Sequence, residues 1–245
     1  MSISRKSITF ALAMVNNNDF FVPLWELDPR WEVLSNTERI WLRQHLVIEH
    51  YNKNEIIHTD GVPAAHMWIL LSGKVRVYKE GVGQRQQILR LLKPYDLFGY
   101  RAVVANECYT TNASAVEPCV VYRLDKDCFT QLIQQNGAFC YHILRSMSTD
   151  LKVSEVRTVN LTQKHIRGRL AEALMDLRLQ YGYEEDGQTL ALLLPREDLA
   201  NMSNMTTSNA IRTLSQFAQE GLIALKGKRV KILNEKDLER VSRLG

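Results

Sequence analysis

The chain has 245 residues, of which 45% are hydrophobic and 24% are charged, a balance typical of globular proteins that bury a sizeable core. No apolar run reaches the roughly 18 residues that a membrane-spanning helix needs, so we expect no membrane partner. The formal net charge of +4 permits a nucleic-acid partner without requiring one.

The four cysteines are widely spaced and contain no C-x-x-C pair; they are Cys108, Cys119, Cys128 and Cys140. No histidines lie at zinc-finger spacing. We interpret the cysteines as buried free thiols in a reducing compartment. We therefore expect a cytoplasmic protein with no metal site.

The N-terminus has Arg5 and Lys6 before a short apolar run, which resembles a weak secretory signal. The run is at the short limit for a signal, and no disulfide pattern follows it. We interpret residues 1–20 as a loose N-terminal tail. An early start codon, with Met14 as the other start, is the alternative.

From Pro23 to about Leu124 the sequence consists of short apolar runs, such as HMWILLSGKVRVYKEG and RQQILRLLKPYDLFG, separated by turn residues. The turn residues are Gly61, Gly73, Gly81, Gly83, Pro94 and Gly99. Regularly spaced short strands predict an antiparallel barrel or jelly roll. We assign residues 21–137 to this roll.

A short helix over KDCFTQLIQQN, capped by Asp125 or Asp127, is predicted to precede a long helix from Ala138 to about Leu161. Residues recur along the long helix at alternating four- and three-residue steps, which is a heptad-like seam. The seam comprises Cys140, Leu144, Met147, Leu151, Ser154, Thr158 and Leu161. This face could cover the chain's own roll, but so narrow a stripe favours a partner helix. We assign residues 138–164 to a dimerisation helix and hinge.

A compositional break after TQKH begins a second domain, residues 165–245. A periodic helix ends at Tyr181-Gly182, TLALLLP predicts a short strand, and two short helices follow. LIALKGKRVKIL predicts a hairpin that turns at Gly227, and EKDLERVSRL predicts a closing helix. This order predicts a winged helix-turn-helix, and with the roll it gives an α+β chain.

The pair of short helices carries the most information. Asn204 permits a tight turn, Met205 plugs it, and Thr206 caps the second helix. Leu199 and Met202 are expected on the inward face of the first helix. The predicted buried face of the second helix is Ala210, Ile211, Leu214 and Phe217.

The other face of the second helix presents short polar side chains and one arginine at its start. Such residues can bond base edges in the major groove, and arginine can pair with guanine. The hairpin has four cations, Lys226, Lys228, Arg229 and Lys231, with no acid between them, which is typical of a phosphate clamp. The polar helix face or the basic hairpin alone would fit an ordinary solvated surface. Because the hairpin directly follows the helix, the two together predict a double-stranded DNA partner. The predicted contacts are Thr206, Thr207, Ser208, Asn209, Arg212, Lys226, Lys228 and Arg229.

These features together resemble the Crp/Fnr family of bacterial transcription regulators. The similarity covers nearly the whole chain from about Phe21. It is specific at Gly61, LLSGKVRVY, DLFG, FTQLIQQN and GRLAEAL, and from Arg196 to Ile223. The resemblance implies a homodimer joined by the long helix, with an effector between roll and helix whose binding reorients two DNA-binding domains on a palindromic operator. It also implies contact with RNA polymerase, for which YGYEEDGQTL is a candidate.

The effector cassette, LFGYRAVVANECYTTNASA, departs from the cAMP-binding members of the resembled family. Tyr100 follows Gly99 where those members have Glu, and Tyr109, followed by Thr110, replaces the phosphate-binding Arg. On the long helix, the two hydroxyl residues that touch the purine become Ser154 and Glu155. An anionic phosphate without its guanidinium loses its main charge partner, and Arg101 is displaced by one residue. We therefore expect no tight cAMP binding by the standard mode. The FGYR cassette resembles a subgroup common in Bacteroidetes.

Two other sensor types of that family were compared with the sequence. An iron–sulfur cluster needs an N-terminal cysteine cluster, whereas no cysteine precedes Cys108, so none is expected. A haem needs axial ligands; the candidates are His45, His50, His58, His66, His142 and His165, and spacing singles none out. The effector therefore remains unidentified. In the second helix of the pair, which would read the DNA bases, Ser208 stands where the best-known members of the resembled family have Glu. Arg212 matches their Arg.

Two rival functions were considered. Cupin enzymes share the roll, but their H-x-H and Glu spacing is absent from the stretch holding His50, His58 and His66. We therefore expect no enzyme and no catalytic residue. A cyclic-nucleotide-type binding module without a DNA role would lack the helix-turn-helix and wing. The favoured prediction is a sequence-specific, homodimeric DNA-binding transcription regulator.

Overall fold

The computed structural model describes residues 21–244, and the interpretation of residues 1–20 as a tail lies outside this part. The described residues form two compact units, one reaching to Lys79 and including Arg90–Asp150, the other comprising Glu80–Leu89 and the chain from Leu151 onward. The division falls at residue 150, within the predicted dimerisation helix, and the boundaries at 137 and 164 remain predictions. Across the described chain, no helix combines the length and apolarity needed to span a membrane.

The roll consists of two antiparallel four-stranded sheets. Their strand orders are β1-β8-β3-β6 and β2-β7-β4-β5. The strands are β1 (Val47–Tyr51), β2 (Ile56–His58), β3 (His66–Ser72), β4 (Val75–Glu80), β5 (Gln86–Leu92), β6 (Leu97–Phe98), β7 (Asn112–Ala115) and β8 (Cys119–Asp125). In the longest pairing, Ile69 of β3 lies opposite Tyr122 of β8. The predicted jelly roll is confirmed.

The residues before the roll are helical, so the prediction of strands from Pro23 was wrong for this part. The helices are α1 (Leu24–Leu27), α2 (Pro29–Glu32) and α3 (Asn36–His45). A capping box starts α3: the Ser35 hydroxyl accepts from the Glu38 N–H at 3.3 Å, and the Glu38 carboxylate accepts from the Ser35 N–H at 2.7 Å. This S-x-x-E spacing is a helix-start signal that the reading of short apolar runs overlooked.

Three helices complete this part of the chain: α4 (Tyr100–Ala105), α5 (Lys126–Gln135) and the long α6 (Gly137–Gln163). Phe139 anchors the start of α6, because its ring lies 5.0 Å from that of Trp31 and 6.1 Å from that of Phe129, and all three side chains are fully buried. Asp125 precedes α5, as predicted, but makes no side-chain cap. Its carboxylate instead accepts from Arg123 at 2.9 Å.

All four cysteines are free. The expectation of buried thiols holds for Cys119, whose pKa burial raises to about 12, so the thiol stays protonated at neutral pH. It is wrong for Cys108, which is exposed in the loop after α4. Cys128 and Cys140 are half-buried.

The second unit contains the predicted helix, helix pair and hairpin. Its elements are α7 (Ile166–Tyr181), α8 (Arg196–Met202), α9 (Thr207–Gln219), β9 (Ile223–Lys226), β10 (Arg229–Ile232) and α10 (Glu235–Leu244). The predicted strand over TLALLLP is reduced to isolated bridges at Thr189 and Leu190. Three of its four leucines, Leu190, Leu192 and Leu194, are buried in the core, whereas Leu193 is 47% exposed.

Arg157 of α6 ties three segments of the second unit together. Its guanidinium donates to the carbonyls of Leu89 and Ile88 at 2.5 Å each, and to the carbonyl of Met202 at 3.0 Å. Met202 is the last residue of α8. One side chain therefore links the long helix, strand β5 and the helix pair.

Gly73, between β3 and β4, has a positive φ of 82°, and neighbouring atoms leave no room for a side chain. A Cβ there would lie 2.4 Å from the Pro118 carbonyl oxygen and 2.7 Å from the Cys119 Cβ. Gly61 has a φ of 84°, but a Cβ there meets nothing within 4 Å. An alanine at Gly61 would therefore strain only the backbone, whereas an alanine at Gly73 would add a steric overlap.

We expect Gly61→Ala to destabilise the roll by about 1–2 kcal/mol, the cost of a left-handed conformation. Gly73→Ala should cost at least about twice as much, because the backbone at Pro118 must also move. Thermal unfolding of both variants tests this. Equal losses of Tm would contradict the assigned overlap.

Candidate nucleic-acid interface and roll pocket

The turn between α8 and α9 has the predicted construction. Asn204 has a φ of 48°, Met205 is buried in the turn, and the Thr206 hydroxyl accepts from the Asn209 N–H at 3.3 Å. Leu199 is buried and Met202 half-buried. The N-terminus of α9 is thus held by a side-chain cap and a hydrophobic plug.

The buried stripe of α9 differs from the predicted one at a single position. Ala210, Leu214 and Phe217 are buried as expected, and Thr213 is buried with them. Ile211 is 49% exposed, so its assignment to the buried face was wrong. Each residue turns the helix by about 100°, which places position 213 inside the stripe and position 211 beside it.

The outward face of α9 carries the predicted reading residues. Thr206, Thr207, Ser208 and Arg212 are exposed, whereas Asn209 is half-buried. The side-chain amide oxygen of Asn209 accepts a hydrogen bond from the Arg212 guanidinium at 2.8 Å. Asn209 therefore orients Arg212, whose other N–H groups remain available to a base.

Only two of the four hairpin cations lack an acidic partner within the described residues. Lys226 and Lys228 are exposed and make no ion pair there, whereas Arg229 pairs with Glu184 and Lys231 lies 3.5 Å from Asp186. These acids come from the turn after α7, which is distant in sequence. Glu184 offsets part of the charge that Arg229 would present to a phosphate, so Lys226 and Lys228 are the stronger phosphate candidates of the hairpin.

Arg196, at the start of α8, connects the helix pair to the hairpin. Its guanidinium donates to the Gly227 carbonyl at the hairpin turn, at 2.7 Å. Burial lowers the pKa of this guanidinium. No local pattern in the sequence reveals this contact. It holds the turn of the hairpin beside the start of α8.

A pocket of about 370 Å³, counting its open mouth, lies in the roll. Five of the predicted effector residues line it, Gly99, Tyr100, Arg101, Tyr109 and Thr110, together with His58, Val77, Arg90, Phe98, Ala102 and Thr111. Ser154 and Glu155 belong to the second unit, where both are exposed. Their part in the pocket remains a prediction.

Tyr100 makes an internal contact within the first unit. Its hydroxyl donates to the Asp150 carboxylate at 3.0 Å, and Arg90 donates to the same oxygen at 2.9 Å. Burial, and then the Asp150 charge, raise the pKa of Tyr100 to about 12. The sequence analysis did not predict a role for Arg90 or Asp150.

Tyr109 is buried at the position of the expected phosphate-binding arginine. Its hydroxyl donates to the His66 carbonyl at 2.7 Å and accepts from the His66 N–H at 3.0 Å. Burial raises its pKa, so it stays neutral. This position therefore supplies no positive charge to the pocket.

His58 lies between aromatic rings at the pocket wall. Its ring is stacked 4.4 Å from that of Tyr109 and 5.3 Å from that of Trp68. Burial lowers its pKa to about 4, so the imidazole is neutral at pH 7. Arg90 is already paired, and only Arg101 is exposed among the cations of this wall. The described lining of the pocket therefore lacks a free buried cation to pair with the negative charge of a phosphate.

The predicted seam of α6 is only partly open. Leu144 and Leu151 are 55% and 61% exposed, and Ser154 and Thr158 are exposed as well. Met147 packs against the core of the roll, and Cys140 and Leu161 are half-buried. Tyr141, Val153, Val156 and Val159, which the heptad pattern omitted, are also exposed. Four of the seven seam positions are therefore exposed, and the dimer contact through them stays a prediction.

The two units match known domain families. Residues 48–136 match the cyclic nucleotide-binding domain, and residues 168–241 match the Crp-like helix-turn-helix domain. No described group of three or more His, Cys, Asp and Glu side chains is arranged to hold a metal ion.

Known relatives match along most of their length. The chain is 24% identical to the CRP-like cAMP-activated global transcriptional regulator of Mycobacterium tuberculosis, over 79% of this chain and 87% of that protein. It is 28% identical to the probable transcriptional regulator flp of Lacticaseibacillus casei, over 72% and 78%. The structure of FixK2 from Bradyrhizobium japonicum has the same fold, with a TM-score of 0.72 and 21% identity over 80% of this chain and 96% of that one.

A roll of the cyclic-nucleotide-binding type and a Crp-like helix-turn-helix occur here in one chain and in the same order as in these regulators. The chain therefore belongs to the Crp/Fnr family of DNA-binding transcription regulators.

Proposed function

We propose that the protein is a cytoplasmic homodimer that recognises a palindromic operator in double-stranded DNA. The observation that carries this is the capped, exposed edge of α9, with Thr207, Ser208 and Arg212, followed by a hairpin with two lysines that make no ion pair within residues 21–244. The edge has the donors and acceptors that read bases, and Lys226 and Lys228 suit phosphates. Contact with RNA polymerase through residues near Glu184 is part of the same proposal, and no residue is assigned a catalytic role.

The operator should differ from that of the best-known family members. Ser208 stands where those members have a glutamate, and glutamate accepts from cytosine N4. A serine hydroxyl is shorter and carries no charge. Arg212, steadied by Asn209, keeps the group that pairs with guanine.

The pocket of the roll is proposed to hold a ligand other than cyclic AMP, or no ligand. Support comes from Tyr100 and Tyr109, which are buried, neutral and bonded to other parts of the roll. A phosphate would have to draw Arg90 away from Asp150. The FGYR cassette and its Bacteroidetes-like subgroup belong to this proposal. A haem or another small ligand is the alternative effector.

Arg212→Ala should relax sequence preference, because the group that distinguishes guanine is lost, at a cost of about 1–3 kcal/mol on the cognate site. Lys228→Ala should weaken binding to all sequences about equally and reduce the slope of log K against log salt by about 1. Fluorescence anisotropy with operator and scrambled duplexes at several salt concentrations measures both effects.

Lys53→Ala, which removes an exposed lysine of the roll, is the control for loss of charge alone. It should change neither the slope nor the preference. The assigned roles are wrong if Arg212→Ala and Lys228→Ala reduce discrimination by the same factor.

Leu151→Glu should dissociate the dimer and abolish high-affinity operator binding, because it puts a carboxylate in an apolar helix seam. Ile56→Glu is the matched control, since Ile56 is 58% exposed and Leu151 61%. Light scattering gives the oligomeric state and anisotropy the affinity. A Leu151→Glu monomer that binds the palindrome at wild-type affinity would refute the seam.

Cyclic AMP should leave the thermal unfolding of the protein unchanged. A ligand at 100 times its Kd stabilises by about 2.7 kcal/mol, which corresponds to roughly 5–10 °C in a protein of this size. The cAMP-activated relative of M. tuberculosis is the positive control. A saturable shift of several degrees with this protein would contradict the proposal for the pocket.

A further inference from the structure

Ile211 is an apolar residue on the face of α9 that is otherwise polar. It is 49% exposed, and it follows Thr207 by four residues and Ser208 by three, so it shares their face. Ala210, Thr213, Leu214 and Phe217 fill the buried stripe without it. The packing of the second unit therefore does not explain an isoleucine at this position.

Two hydroxyl groups of α9 and its N-cap, four residues after Ile211 and five before it, are engaged with the helix itself. The Ser215 hydroxyl donates to the Ile211 carbonyl at 3.0 Å, and the Thr206 hydroxyl accepts from the Asn209 N–H. They leave the branched side chain of Ile211 as an apolar spot between Ser208 and Arg212. In the major groove, the apolar feature of a base edge is the C5-methyl group of thymine.

We propose that Ile211 is a specificity-determining residue that packs against the methyl group of one thymine in each half-site. This inference rests on the proposed DNA-reading role of α9. Consecutive Cα atoms lie about 3.8 Å apart, close to the roughly 3.4 Å between base pairs. The thymine should therefore lie within about two base pairs of the guanine that Arg212 reads.

The test replaces thymine by deoxyuridine, which removes the methyl group and keeps the hydrogen-bonding edge. An operator is first selected from random duplexes with the wild-type protein, and each thymine is then replaced in turn. Burial of one methyl group stabilises by about 0.8 kcal/mol, so wild-type protein should lose about fourfold in affinity when the contacted thymine of one half-site is replaced. Ile211→Ala should bind both duplexes within about twofold, and Ile211→Val should lie between.

Gln219→Ala is the control, because it changes another exposed residue of α9 about 12 Å along the helix axis from Ile211. It should keep the wild-type loss with deoxyuridine. Equal losses in wild type and Ile211→Ala would overturn the inference, since the methyl group would then act through DNA shape. No loss at any thymine would overturn it while leaving DNA binding intact, whereas failure to select any operator would contradict the proposed function as well.

Discussion

The burial of one stripe of α9 is the constraint on which the proposed DNA interface depends. Once Ala210, Leu214 and Phe217 pack inward, the geometry of the helix fixes which side chains face outward. The Thr206 cap fixes where the exposed edge begins. Apolar burial supplies the stability, so the outward residues are free to differ from those of relatives. In the proposed interface, fold and operator choice thereby depend on different faces of the same 13-residue helix.

The roll uses its polar residues in the opposite way, because it turns them toward one another. Asp150 accepts from both Tyr100 and Arg90, and Tyr109 is bonded to the backbone of His66. A ligand must compete with these internal contacts as well as with water. In the second unit, Arg157 similarly satisfies carbonyls from two segments that are distant in sequence. Arginine therefore serves contacts within the fold here, whereas on α9 it is proposed to contact DNA.

Periodicity and turn residues were sufficient to predict the roll, the long helix and the winged helix-turn-helix. They failed at residues 23–45, where a capping box at Ser35 outweighed the strand-like composition. They also failed at Ile211, because apolarity alone does not distinguish a buried from an exposed position one residue away. Contacts such as Arg229–Glu184 and Tyr100–Asp150 join residues 45 to 50 positions apart, and no local pattern reveals them.

The most direct test of the account is selection of operator sequences from random duplexes at low salt, with no added nucleotide. The account predicts enrichment of a palindrome whose half-sites lie about one helical turn apart, roughly 34–36 Å, and whose sequence differs from the standard half-site of the cAMP regulators. Recovery of that standard half-site would contradict the assignment of Ser208. No enrichment at low salt, where phosphate contacts are strongest, would contradict the DNA-reading role of α9.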